Sequence, residues 1–74
     1  MILISYIEPF VVINSDKLMS GTIKIFDSSL KVTFSEDFST QSYFNVKVKS
    51  EFGEIITVVL ETKSRKYQKK LTIK

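Results

Sequence analysis

The side chains able to do chemistry in this chain are lysines, serines and a few carboxylates; there is no histidine and no cysteine. That inventory lacks the usual general base, the thiolate nucleophile and the soft metal ligands. A Ser–Lys pairing remains chemically conceivable, but no serine sits in a nucleophile-elbow context, since the only glycines are Gly21 and Gly53. Carboxylate pairs for glycoside chemistry would come from Glu36, Asp37, Glu51 or Glu54. All four fall in segments that read as polar loops, where a solvated carboxylate is the ordinary state. Ser35, Glu36, Asp37 and Ser39 offer hard oxygen ligands, yet lack the alternating acidic spacing and turning glycine of a calcium loop. The expectation is a protein that is not an enzyme, with no catalytic residue, no cofactor, no metal and no small-molecule substrate.

Charge is distributed unevenly. Residues 1–62 hold five lysines (Lys17, Lys24, Lys31, Lys47 and Lys49) against all eight acids, a net of −3. Residues 63–74 hold Lys63, Arg65, Lys66, Lys69, Lys70 and Lys74 with no acid, a net of +6. If the last three strands form a meander, Tyr43, Lys47, Lys49, Lys66, Lys70 and Lys74 share one outer face. Basic side chains beside an aromatic on an open sheet suit phosphate tracking and base stacking, which makes that face a candidate for nucleic acid or an acidic partner. The plainer account is a solvated face whose lysines discourage edge-to-edge pairing.

Apolar residues inside polar connections are the other candidates. Leu18 and Met19 lie in the segment 14–21, and Phe38 lies in 35–41. Each either folds back onto an end of the core or stands out as a contact for a partner protein. Ile2, Leu3, Ile4, Tyr6 and Ile7 are apolar on both parities. A strand of that kind either lies inside a sheet or pairs with another chain.

The elements that must position these residues are strands. Alanine is absent, and β-branched and aromatic residues outnumber strong helix formers. Period-two alternation recurs where helical spacing does not. Seven strands are predicted: 2–7, 9–14, 22–26, 30–35, 43–50, 54–62 and 66–73. Pro9 cannot donate to a ladder, so the first two read as one long strand kinked at Glu8-Pro9. Asp27-Ser28-Ser29 and Glu51-Phe52-Gly53 read as turns. In 30–35, Leu30, Val32 and Phe34 should face inward. In 43–50, Phe44, Val46 and Val48 should face inward, and Tyr43, Asn45, Lys47 and Lys49 outward. Residues 54–62 are apolar on both parities, as in a central strand covered on both faces.

The 74 residues make one β domain, 1–74. Short strands at regular intervals predict a small seven-stranded antiparallel β-sandwich, immunoglobulin-like in architecture although it lacks a Cys…Trp…Cys signature. The alternative is a small OB-like or SH3-like β-barrel with 2–14 as one curved strand. A chain this short buries only about 60% of its unfolded surface, and without disulfide or metal it is expected to self-associate or dock on a protein partner. No signal peptide is recognisable, and the apolar start is too short to span a bilayer, so a soluble protein in the cytoplasm, with no membrane partner, is expected. The Ile-, Lys- and Phe-rich composition suits an AT-rich genome, such as that of a phage, an archaeal virus or a low-GC bacterium. The leading functional expectation is a non-enzymatic protein–protein interaction module, a small microbial or viral adaptor or inhibitor. A nucleic-acid-binding β protein and a structural subunit of a larger assembly are the alternatives.

Overall fold

In the computed structural model, which describes residues 1–49 and 51–74, the chain is all-β. Five strands follow one another: β1 (Ile2–Ile7), β2 (Phe10–Phe26), β3 (Val32–Lys47), β4 (Ile55–Thr62) and β5 (Lys66–Thr72). They form a single antiparallel sheet, curled into an open half-barrel, in place of the seven strands and two sheets predicted.

The difference arises where sequence periodicity is lost. The segments 14–21 and 35–41, polar enough to read as loops, lie within β2 and β3 and are largely strand paired with strand. Met19 lies opposite Gln41, Gly21 opposite Phe38, and Thr22 opposite Asp37. Their polarity reflects exposure rather than disorder of the backbone. Each of the two long strands therefore absorbs two of the predicted ones. The Glu8-Pro9 break is also a reversal and not a kink: Ile7 pairs with Phe10 across a two-residue turn that contains a cis Glu8–Pro9 bond.

β2 organises the molecule. One of its edges runs along β3 for its whole length; the other passes from β1 (positions 10–15) to β4 (positions 21–26). The change of partner coincides with register shifts between Asn14 and Gly21, and bulges of this kind bend a strand and raise its twist. Across the bend Thr40 takes a positive φ of 52°, and its N–H donates to Ser20 Oγ at 2.9 Å. Gly21 stands where β4 joins: a β-carbon there would collide with the Glu61 carbonyl. Close backbone approach, and not a positive φ, is what requires glycine at this point.

The bend folds both halves of the β2–β3 hairpin around one core. Ile4, Val11, Ile13 and Val46 come from the half that carries β1. Ile23, Ile25, Ile56, Val58, Leu60, Leu71 and Ile73 come from the half that carries β4 and β5. Full burial of such a side chain contributes about 1.5–3 kcal/mol. β1 approaches β5 across the seam without pairing to it. β4, flanked by β2 and β5, is buried from Ile56 to Leu60 on both parities, as its composition predicts.

Two further expectations are corrected. Leu30 does not start an inward face; it sits in the β2–β3 turn with φ 62° and is 72% exposed. The Asp27 carboxylate causes this by accepting hydrogen bonds from Ser29 N–H and Lys31 N–H, both at 2.9 Å. Val32 is exposed as well, so only Phe34 of that trio packs on the core. The last three strands also form no meander, because β4 pairs with β2 and β5 and not with β3. The chain crosses from the end of β3 to β4 through 48–54; Ser50, the last residue of the predicted 43–50 strand, lies outside the described residues.

Candidate interaction surface

The inward alternation of Ile4, Val11, Ile13, Phe44 and Val46 sends the intervening side chains to the convex face of the sheet. Three ladder rows cross that face. Leu3, Asn14 and Tyr43 make one; Ser5, Val12 and Asn45 the next; Ile7, Phe10 and Lys47 the third. Leu3 is 57% exposed, Ile7 64% and Tyr43 57%, while Phe10 and Val12 are half-buried between them. Five of these nine residues are apolar or aromatic, none is acidic, and the single charge, Lys47, stands at one corner. An apolar patch with a polar rim and a tyrosine, on a rigid sheet, has the composition of a protein-contact surface.

β1 makes this face distinctive. Among the described residues it pairs only with β2, and from Ile2 to Ile7 it carries no lysine, proline or other guard against edge pairing. Its two apolar parities have separate destinations: Ile4 is buried in the core, whereas Leu3 and Ile7 stay in solvent.

The lysines proposed to share a face fall into two groups. Tyr43 and Lys47 lie on β3, with Lys49 just beyond it; Lys66 and Lys70 lie on β5, with Lys74 at the chain end. The rows through Lys66 and Lys70 run to Glu61 and Thr57 of β4, while the row through Lys47 runs to Phe10 and Ile7. No ladder row joins the two groups. Of the candidate loop contacts, Met19 and Phe38 pack against the core, and the Phe38 and Phe44 rings meet at 4.9 Å between centroids. Leu18 remains exposed.

Two concavities flank this surface. The larger, about 760 Å³, opens between the start of β1, the bulged part of β2 and the β4–β5 turn; Ile2, Met19 and Tyr67 line it with Lys17, Lys63 and Arg65. The smaller, about 430 Å³, lies along the concave side of β3 between Phe34, Phe38, Phe44 and Val46, with Ile23 below. Beside the larger one the amino terminus donates to Asp16 Oδ1 at 2.8 Å. That hydrogen bond holds the Asp16 carboxyl below the usual aspartate range. Among the described residues no three acidic side chains converge as a metal site would require, and no helix is long and apolar enough to cross a membrane. Within β3, Asp37 accepts a hydrogen bond from Thr22 Oγ1 at 2.7 Å.

Sequence reasoning named Tyr43 and Lys47 but not Leu3, Ile7, Phe10 and Val12 as a site. The signal was present in the double parity of residues 2–7; pairing order decided which residues joined it. Comparison with protein-family models, with curated proteins and with solved structures finds no match.

Proposed function

We propose that this protein is a protein–protein interaction module, a small microbial or viral adaptor or inhibitor, that engages its partner through the convex face of β1, β2 and the second half of β3. The observation that supports this reading is the grouping of Leu3, Ile7, Phe10, Val12 and Tyr43 in three adjacent ladder rows. Leaving Leu3 and Ile7 more than half in water forfeits about 1–2 kcal/mol each of burial free energy. A partner that covers them recovers it, and Tyr43 and Lys47 supply polar ends that orient the contact.

The test is affinity capture with the full chain beside a Leu3→Lys, Ile7→Lys double variant. Both side chains are exposed, so the variant retains the wild-type thermal midpoint. A specific protein retained by the wild type and lost by the variant supports the reading. Equal retention by both moves the contact elsewhere, and no retention by either removes the proposal.

A further inference from the structure

The cleft of about 760 Å³ between the start of β1, the bulged part of β2 and the β4–β5 turn has an apolar floor and a cationic rim. Ile2, Met19 and Tyr67 make the floor; each is half-buried and packs on the core. Lys17 lines the cleft from β2, and Lys63 and Arg65 line it from the β4–β5 turn. All three are exposed, and among the described residues none makes an ion pair. The one carboxylate in the lining, Asp16, is engaged by the amino terminus at 2.8 Å.

The remaining acids are turned away from this cleft. Glu61 pairs with Lys66, and the residues beside them, Leu60 and Tyr67, face the core, so alternation sends both charges to the convex side. Asp37 shares a ladder row with Thr22 and Glu61, and Glu36 lines the smaller cleft. Glu8, Asp27, Glu51 and Glu54 lie in turns beyond the far ends of β1, β2 and β4. The walls are fixed by backbone hydrogen bonds. Asp16 N–H donates to the Met1 carbonyl at 3.2 Å, and Thr62 N–H donates to the Arg65 carbonyl at 2.8 Å. Arg65 N–H donates in turn to Thr62 Oγ1 at 3.2 Å. These bonds use no atom of the Lys17, Lys63 or Arg65 side chains.

We propose that this cleft binds an organic phosphate monoester, its phosphate held by Lys17, Lys63 and Arg65 and its flat apolar body laid against Met19 and Tyr67. A phosphate monoester is nearly a dianion at neutral pH, which matches a rim of unpaired cations. Arg65 supplies the planar fork that suits phosphate oxygens. Methionine adapts to the outline of an apolar body, and tyrosine offers it a ring face. The volume falls within the range of small-molecule sites, about 300–1,000 Å³. The same chemistry arrives either on a free small molecule or on a phosphotyrosine side chain. Neither Leu3 nor Ile7 lines the cleft, so this inference stands apart from the proposed contact face.

An amide chemical-shift titration of the full chain at low ionic strength tests it, with phenyl phosphate as the probe and inorganic phosphate and phenol as controls. Phenyl phosphate moves the resonances of residues 15–21 and 62–67, with a dissociation constant in the millimolar range or below, and binds more tightly than either control. Lys17→Ala with Arg65→Ala weakens it about tenfold or more, as charge-assisted hydrogen bonds are lost. Lys66→Ala with Lys70→Ala removes the same charge from the convex side and changes the affinity by no more than about twofold, because separated surface charges are screened. Tyr67→Leu weakens phenyl phosphate and leaves inorganic phosphate unchanged. A phosphotyrosine peptide that binds more tightly than phenyl phosphate supports the protein-borne source, and one that binds no better supports the free one. No shift by millimolar phenyl phosphate overturns the proposal, as do equal losses in the two double variants. An oligonucleotide that moves these resonances where phenyl phosphate does not also overturns it. The lysine and arginine changes touch only exposed side chains, and circular-dichroism melts check the fold. If Tyr67→Leu is unstable, the comparison of phenyl phosphate with inorganic phosphate on the wild type decides the role of the floor.

Discussion

Gly21→Ala places a methyl group where β2 leaves β1 and takes up β4. In an ordinary strand interior this exchange is favourable by about 0.5–1 kcal/mol, because alanine loses less backbone entropy on folding. Here the new β-carbon overlaps the Glu61 carbonyl oxygen and lies 2.9 Å from the Glu61 carbonyl carbon and 3.1 Å from Thr62 Cα. All three are backbone atoms, so no side-chain rotation relieves the overlap. Glu61 is paired to Thr22 on one side and to Lys66 on the other, which limits how far β4 can withdraw. Overpacking of this kind costs about 1–3 kcal/mol, occasionally more, and the rigid surroundings put Gly21→Ala at the upper end. For a domain of this size 2–3 kcal/mol lowers the melting temperature by about 8–24 °C. Thermal and urea unfolding followed by circular dichroism measure it. A variant as stable as the wild type, or more so, would refute the partner switch at Gly21.

Other perturbations probe separate links. Leu30→Asn raises stability by about 1 kcal/mol, since asparagine tolerates the left-handed conformation that leucine is forced to adopt; a lower melting temperature contradicts the turn. Leu60→Ala, which empties a fully buried site on β4, costs about 2–5 kcal/mol in urea unfolding. The Asp16 carboxyl titrates below the ordinary aspartate value by NMR, and acetylation of the amino terminus, its main cause, raises it toward that value. Because its folded-state pKa is depressed, the stabilisation from this pair is present above the unfolded pKa and is lost as pH falls through the folded one. A labelled oligonucleotide titrated at low ionic strength tests the alternative nucleic-acid reading: a steep fall of affinity with salt supports it, and no shift removes it.

Side-chain alternation carried the parts of the fold that depend on faces. Phe44, Val46 and Val48 pack inward against an outward Tyr43, Asn45, Lys47 and Lys49, and Ile56 to Leu60 are buried on both parities, as their patterns imply. Pairing order was not legible, because parity assigns a face and leaves the neighbour open. Periodicity also failed where most side chains of a ribbon meet water: residues 14–21 and 35–41 look like loops, yet they belong to the long strands, and of their side chains Met19 and Phe38 reach the core. Leu30 misled for a local reason. An apolar residue at the end of an alternating run looks like core until the Asp27 side chain claims two backbone donors and draws it into the turn. The proposed contact face was half legible. The unguarded, two-sided segment 2–7 reads as a strand inside a sheet or paired with another chain, but only the hairpin at Glu8-Pro9 and the pairing of β2 with the second half of β3 bring Phe10, Val12 and Tyr43 beside it.

The convex face exists because β3 ends next to β2 and two strands from β1. Cross-strand Hα–Hα nuclear Overhauser contacts test that placement directly. The account predicts contacts between Phe10 and Lys47, between Val12 and Asn45, and between Ile4 and Ile13. A ladder of such contacts from residues 43–47 to β4 would contradict it.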